Sequence, residues 1–308
     1  MSALAPHPSG GQPDPAYALV ASGNLRRRQA KSRAFETATL VAAGAAVLML
    51  LILVYYAAKR GLSQLSLGFL FDKLPLPTGG IGNTLPGGIG PALAGTLELS
   101  LIATIIALPV GVLTALYVSE FSGPRGRRVV ESYLNLMAGL PTIVAGVFIA
   151  LLIADPLGQS AIAGGMALAI VEVPLIARAS IESISRVPST LREAADALGV
   201  ARWRTVIGVV LPTAANGIVT ATILAVARAA GETAPILFTC TLFGQGYSVN
   251  PLHSVASVPL ELFTLMESGN TAEVDKAWGA GFLLMVTILI INILARIWLR
   301  RSERKRGL

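Results

Sequence analysis

Six apolar runs, each near the length that crosses a lipid bilayer, dominate this sequence. They cover residues 35–58, 95–119, 133–154, 160–178, 212–242 and 279–299. A membrane-spanning helix needs about 20 predominantly apolar residues, and in lipid a helix satisfies all of its own backbone hydrogen bonds. Only 13% of the residues are charged, against roughly 25% in soluble domains. The sequence therefore predicts an all-α, polytopic membrane protein with six transmembrane helices.

The two ends of the chain differ in composition from the apolar runs. Residues 1–34 begin with a stretch rich in proline and glycine and finish in a basic block, and residues 301–308 are also basic. Low apolar content of this kind is typical of disordered segments. We therefore predict a transmembrane domain over residues 35–300, flanked by two basic tails. The run at 35–58 exceeds the roughly 7 to 15 residues of a signal-peptide core, which predicts a retained first helix.

The distribution of lysine and arginine predicts the orientation of the chain. Six crossings place both termini on the same side of the membrane. The N-terminal tail, the loop near residues 122–132, the segment 178–205 and the C-terminus from Arg300 onward hold 18 of the 24 Lys and Arg residues, and the opposite loops hold four. Because cytoplasmic loops carry the excess of positive charge, both termini are predicted to be cytoplasmic.

Motifs for nucleotide, metal or catalytic chemistry are missing from the sequence. No lysine follows a glycine, so the chain has no Walker A loop. The metal motif His-Glu-x-x-His and the nucleophile motif Gly-x-Ser-x-Gly are also absent. The net charge of +7 falls in short blocks beside the apolar runs, which argues against nucleic-acid binding. We predict no catalytic residue, no metal site and no cofactor bound by this chain. Uphill transport then requires an ion gradient or a partner that binds nucleotide.

The cytoplasmic connection around residues 188–212 has the pattern of a short, ordered helix. Thr190 and Glu193 have the spacing of a capping box, and Gly199 is a helix stop signal. The pattern predicts a helix near residues 191–198 and a second helix from about Ala201.

This predicted helix has a surface suited to docking another protein, because its small side chains allow close approach and charges surround them. The candidate docking residues are Arg192, Glu193, Ala194, Ala195, Asp196 and Gly199. The alternative is a helix that lies against the membrane surface and is anchored by Trp203.

Charged residues inside the fifth apolar run define a second candidate site. Arg228 and Glu232 are four residues apart, so on a helix they would share a face and could pair. A charge at the bilayer centre costs roughly 2.5 to 3.5 kcal/mol to insert, and such residues rarely face lipid. Pro235 cannot donate to the carbonyl of Gly231, which predicts a kink or a break beside the pair.

Two interpretations of this charged site remain open from the residues alone. Broken helices belong where a cavity is lined, which favours a transport path over an interhelical structural ion pair. The planar fork of Arg228 is suited to an oxyanion, so an anionic substrate is favoured over a cationic one.

Glu172, beside Pro174 in the fourth run, fits pore lining and helix packing equally well. Glu98, near the start of the second run, is better explained by the helix dipole.

Two strings in the sequence resemble a known family. Residues 193–212, with Glu193-Ala194-Ala195, Gly199 and Leu211-Pro212, resemble the EAA loop of bacterial ABC importer permeases. Residues 227–235 read Ala-Arg-Ala-Ala-Gly-Glu-Thr-Ala-Pro and resemble the signature of the phosphate importer permeases, most closely the PstA type. Residues 90–96 and 139–144 are similar to patterns of the same family, and the likeness covers about residues 35–300.

This resemblance implies a permease subunit of an ATP-driven phosphate importer in a bacterial inner membrane. It implies an EAA-type loop that docks on ATPase subunits, a path to which Arg228 contributes, and a role for Glu232 in orienting Arg228. The implied partners are a second homologous permease, two cytoplasmic ATPase subunits that use ATP and Mg, an external phosphate-binding protein and membrane lipid. The alternatives are an ABC permease for another oxyanion, a secondary anion carrier, and a membrane-embedded enzyme with no visible catalytic constellation.

Overall fold

Helices make up most of the described chain. The structure is a computed structural model that describes residues 25–73, 87–240, 246–248 and 250–306, and these residues contain no strand. Five helices are long and apolar enough to cross a membrane, and a bent helix pair provides a sixth crossing if it counts as one span. The predicted all-α, polytopic class is confirmed.

Twelve helices follow one another along the described chain. They are α1 (Leu25–Gly61), α2 (Leu67–Phe71), α3 (Gly90–Leu116), α4 (Pro124–Gly139), α5 (Thr142–Ile149), α6 (Asp155–Leu157), α7 (Ala161–Ser185), α8 (Ser189–Ala197), α9 (Arg202–Thr205), α10 (Leu211–Ala229), α11 (Val258–Glu267) and α12 (Thr271–Arg306). A short 3-10 turn follows α1, and π-helical turns occur at Tyr117–Phe121, Ala150–Ala154 and Val206–Val210.

The first and last helices extend into the predicted tails. α1 begins at Leu25, so the end of the tail predicted to be disordered through residue 34 is helical, and α12 continues to Arg306. Arginine and lysine are good helix formers, and adding residues to an existing helix is favourable once it is nucleated. Residues 1–24 and 307–308 lie outside the described residues. The chain divides into two units after Tyr55, and the contacts described below all lie in the second unit.

The third apolar run, residues 133–154, is bent instead of forming one straight helix. α4 and α5 meet at an angle of 92°. Pro141 has no backbone N–H to continue the α4 ladder, and the residue before a proline is driven out of the helical region. Leu140 accordingly has an extended backbone, with ψ 135°. The bend places the start of α5 next to the interior of the second unit.

The centre of the second unit is a close contact between α3 and α7. A Cβ atom on Gly165 of α7 would lie 2.4 Å from Cγ2 of Ile102, and one on Gly111 of α3 would lie 2.9 Å from Cγ2 of Ile176. The buried residues around these positions include Ala103 and Ala107. Helix association in lipid depends on packing, and small residues let two backbones approach closely. α3 and α7 therefore form a tightly packed pair.

The start of α7 is held by the connection before α11. The amide of Ala161 donates to the carbonyl of His253 at 2.9 Å, and the amide of Ile162 donates to the carbonyl of Pro251 at 2.9 Å. The first amides of a helix have no partner within the helix. The amide of Val258 likewise donates to the Thr96 hydroxyl at 2.9 Å, which joins the start of α11 to α3.

The close contact of α3 and α7 predicts that Gly165→Ala destabilises the protein by about 1–3 kcal/mol, because the new methyl group overpacks the interface. Gly44→Ala is the matched control, since no atom lies within 4 Å of a Cβ at Gly44. The apparent unfolding temperature in detergent measures both variants. Equal or higher stability of Gly165→Ala relative to the unsubstituted protein would contradict this packing argument.

Candidate functional site

The fifth apolar run contains the end of a helix at its charged string. α10 ends at Ala229, and the residues from Ala230 to the end of the described part of this run form turns. The amide of Gly231 donates to the carbonyl of Arg228, and the amide of Glu232 to that of Ala229, which tightens the last turn. The run 212–242 is therefore not one continuous helix, and its last two residues lie outside the described residues.

This helix end changes the predicted relation between Arg228 and Glu232. Glu232 lies beyond the end of α10, so the two side chains do not share a helical face. No ion pair within 4.0 Å joins them, whereas three other ion pairs occur in the described residues. The expected pairing four residues apart is absent because the backbone turns before it reaches Glu232.

Glu232 instead bonds to the start of α5. The Thr142 hydroxyl donates to Oε1 of Glu232 at 2.8 Å. Thr142 is the first residue of α5, directly after the bend at Pro141. A Cβ on Gly146 would lie 2.6 Å from the carbonyl oxygen of Pro235, so α5 passes close to the backbone after Glu232. The α4–α5 bend and the end of α10 thus meet at one place.

Arg228 lines a cavity of about 460 Å³ between α4, α5, α7 and α10. The walls are mainly apolar and aromatic, and they include Tyr133, Phe148, Ile170 and Leu175. The guanidinium is exposed and makes no hydrogen bond or ion pair with any described residue. An unpaired guanidinium in an apolar cavity retains its full capacity to bind an anion.

A second, narrow crevice beside Arg228 also reaches Glu172. The crevice is lined by Glu172, Arg228 and Glu232 and is too tight for a water molecule. Glu172 is 1% exposed, and neither of its carboxyl oxygens has a hydrogen-bond partner among the described residues. The nearby Thr104 hydroxyl donates to the carbonyl of Ser100 at 2.7 Å. The structure therefore brings the three predicted path residues together.

The second candidate site consists of α8 and the turn after it. α8 spans Ser189–Ala197, close to the helix predicted near residues 191–198. Gly199 has φ +69°, in the left-handed region that favours glycine. The amide of Gly199 donates to the carbonyl of Asp196, and the amide of Val200 to that of Ala195, a Schellman arrangement. The predicted capping box does not form: Pro188 occupies the N-cap position, and no side chain caps the helix. The following helix, α9, starts at Arg202.

The predicted docking residues are divided between two faces of α8. Glu193, Ala194 and Asp196 are exposed, as is Leu198 with 82% exposure. Ala195, in contrast, is buried. An exposed leucine beside small and acidic side chains forms a surface suited to burial by a partner.

Arg192 points away from this exposed face. Its guanidinium pairs with Glu120, in the π-helical turn after α3, at 2.7 Å. It also donates to the carbonyl of Ile184 in the last turn of α7 and to that of Val187 just after this helix. Glu120 was not a sequence candidate, and neither was Thr142 as a partner of Glu232. Both contacts join residues far apart in the chain. Helical periodicity gives no information on contacts of this kind.

Known proteins match most of the chain. A family model described as "Binding-protein-dependent transport system inner membrane component" matches residues 107–307. A phosphate transport system permease protein PstA 1 of Mycobacterium tuberculosis is 37% identical over 212 residues, which are 67% of this chain and 68% of the relative. A phosphate transport system permease protein PstA of Pasteurella multocida is 30% identical over 281 residues, 90% of this chain and 97% of the relative.

Solved structures share the fold. A chain of a bacterial alginate ABC transporter, crystallised with an alginate-bound periplasmic protein, matches with TM-score 0.60 and 17% identity over 90% of this chain and 96% of that chain. A chain of the MetNI methionine ABC transporter in an inward-facing conformation matches with TM-score 0.55 and 21% identity, over 70% of this chain and 94% of that chain. At these identities the likeness concerns the fold alone.

The partly buried hydrogen bond between Thr142 and Glu232 predicts that Thr142→Val destabilises the protein by about 0.5–1.5 kcal/mol, the net contribution of a typical intramolecular hydrogen bond. Thr142→Ser is the control, because it retains the hydroxyl donor. The apparent unfolding temperature in detergent compares the two variants. If both variants unfold at the same temperature, the hydrogen bond does not hold the two helix ends together.

Proposed function

Because the chain belongs to the family of binding-protein-dependent transport system inner membrane components, we propose that it is the membrane-spanning permease subunit of an ATP-driven importer of inorganic phosphate. The similarity to phosphate transport system permease proteins over most of the chain supports phosphate as the substrate. In this proposal the chain lines the path, while partner subunits bind ATP and Mg and hydrolyse the nucleotide.

The observation that carries the proposed substrate is the unpaired Arg228 in its cavity. No carboxylate among the described residues forms an ion pair with the guanidinium within 4.0 Å: Glu232 accepts from Thr142, and Glu172 lines the same crevice without pairing. Phosphate accepts several hydrogen bonds from an arginine fork. The cavity volume of about 460 Å³ falls within the roughly 300–1,000 Å³ of small-molecule sites.

The exposed face of α8 is the proposed docking surface for the ATPase. Glu193, Ala194 and Asp196 supply this face, and Gly199 ends the helix. Arg192 and Ala195, which point inward, hold the helix in place in this proposal instead of contacting the ATPase. The absence of a Walker A loop from the sequence supports an external source of ATP hydrolysis.

The proposed assembly sits in a bacterial inner membrane. It contains this chain, a second homologous permease, two cytoplasmic ATPase subunits and an external phosphate-binding protein. The excess of lysine and arginine supports cytoplasmic termini and a cytoplasmic position for α8. ATP-driven closure of the two ATPase subunits would then press on α8 and rock the helices between outward and inward openings.

Arg228→Gln is expected to lower phosphate uptake at least about tenfold, because hydrogen bonds to charged groups contribute about 1.5–3 kcal/mol. Assembly should persist, since Arg228 bonds to no described side chain. Arg228→Lys, which keeps the charge and loses the fork, should retain intermediate uptake. Uptake of radiolabelled phosphate into proteoliposomes, with sulfate or molybdate as competitor, measures these effects and tests the alternative oxyanions. Loss of assembly in Arg228→Gln would contradict the path role and favour a structural one.

Gly199→Val is expected to weaken ATPase docking, because a β-branched residue at φ +69° costs about 1–3 kcal/mol and distorts the turn after α8. Gly199→Asn is the matched control, since asparagine tolerates the left-handed region. Mass spectrometry of subunits that copurify with the tagged chain in mild detergent measures docking. Equal recovery of the ATPase with Gly199→Val and with the unsubstituted chain would contradict the docking surface.

A further inference from the structure

The side chain of Arg192 joins three segments of the second unit. Its Nη2 and Nε donate to Oε1 of Glu120 at 2.7 and 3.1 Å. Its Nη1 donates to the carbonyl of Val187 at 2.7 Å, and its Nη2 also donates to the carbonyl of Ile184 at 3.1 Å. We call this set of contacts, among Arg192, Glu120, Ile184 and Val187, the arginine clasp. It links α8 to the end of α7 and to the π-helical turn after α3.

The arginine clasp is shielded from solvent, unlike the other two ion pairs among the described residues. The side chain of Glu120 is 4% exposed and that of Arg192 is 26% exposed. In the Glu182–Arg186 pair, near the end of α7, both side chains are more than half exposed. Exposed pairs contribute little because water screens them, whereas breaking a buried pair leaves an uncompensated charge. The clasp therefore resists separation of the three segments.

Local backbone features place both sides of the clasp. Glu120 belongs to the π-helical turn Tyr117–Phe121 and is buried there. Such a turn inserts an extra residue into a helix and changes the direction of its side chains. Ile184 lies in the last turn of α7 and Val187 lies two residues after the helix ends at Ser185. The carbonyl of Ile184 also accepts from the amide of Val187, so this carbonyl is shared between the backbone and Arg192. A cation is favoured at this end by the helix dipole.

We propose that the arginine clasp transmits displacement of α8 into α3 and α7, with Arg192 and Glu120 as positioning residues for transport. This inference rests on the proposed function, because it presumes that an ATPase moves α8. Besides the turns on either side of α8 and the buried Ala195, the clasp fixes α8 by hydrogen bonds to the end of α7 and to the turn after α3. Because α3 and α7 are tightly packed, they move together when the clasp moves.

The route from the clasp to the proposed path follows α7. Glu172 precedes Ile184 by 12 residues on this helix, a rise of about 18 Å at 1.5 Å per residue. Glu172 lines the crevice that also contains Arg228 and Glu232. A shift of α7 along its axis therefore changes the crevice between Glu172 and Arg228 without any further connecting element.

Glu120→Gln in the complete reconstituted transporter tests this proposal. The ATPase should copurify in unchanged amount and should hydrolyse ATP, because the exposed face of α8 is intact. The number of phosphate ions taken up per ATP hydrolysed should fall about tenfold, within the range of coupling effects between sites. Glu182→Gln is the matched control: it removes a carboxylate from an exposed pair near the same end of α7 and should leave this ratio unchanged.

Because Glu120→Gln leaves Arg192 without its carboxylate partner, this variant alone does not separate loss of coupling from misfolding. A second variant makes that separation. Glu120→Leu combined with Arg192→Met removes both charges, and apolar replacement of a buried pair is often neutral for stability. This double variant should fold and bind the ATPase, yet show the same loss of uptake per ATP. Failure of both variants to fold would assign the clasp to folding and overturn the proposal.

The remaining outcomes separate this inference from the proposed function. An unchanged ratio of uptake to hydrolysis in both variants would overturn the transmission role and leave the importer assignment intact. Loss of the copurifying ATPase from both variants would show that the clasp shapes the docking surface instead of transmitting motion. If the unsubstituted chain recovers no ATPase and still transports phosphate alone, the proposed function itself fails.

Discussion

Backbone hydrogen bonding in lipid constrains every other feature of this structure. A peptide group in the hydrocarbon region has no water to bond, so the chain crosses as helices, and irregular backbone is tolerated only where protein or a cavity surrounds it. Two interruptions fall within the apolar runs: the bend between α4 and α5, and the end of α10 before Gly231. They lie together, joined by Thr142 and Glu232. Each break is in contact with the other and so is surrounded by protein. The candidate path lies where the two breaks meet.

Packing of small residues provides the frame around these breaks. α3 and α7 approach so closely at Gly111 and Gly165 that a methyl group at either position would overlap a neighbouring isoleucine. Lipid supplies no hydrophobic driving force between helices, so tight van der Waals contact has to replace it. The resulting pair carries Glu172 at its middle and the arginine clasp at one end. A rigid frame of this kind connects the proposed docking surface to the proposed path.

The candidate path and the arginine clasp differ in how their arginines are paired. Arg228 has no partner among the described residues, which suits a group that binds a passing anion. Arg192, in contrast, has a carboxylate and two carbonyls as partners, which suits a group that holds segments in place. Both arginines have an alanine two positions further along the chain, at Ala194 and Ala230. Their different environments arise from the elements that surround them.

The sequence by itself determined the helical class, the crossings, the interruption near Gly231 and the stop at Gly199, because these depend on local composition, proline chemistry and the backbone freedom of glycine. Only the tertiary structure decided that Glu232 bonds to Thr142 instead of Arg228, and that Arg192 turns inward to Glu120. Those contacts span 90 and 72 residues of chain. Helical periodicity records which residues share a face of one helix. It contains no information on which distant element that face will meet, since that choice depends on how all the helices pack together.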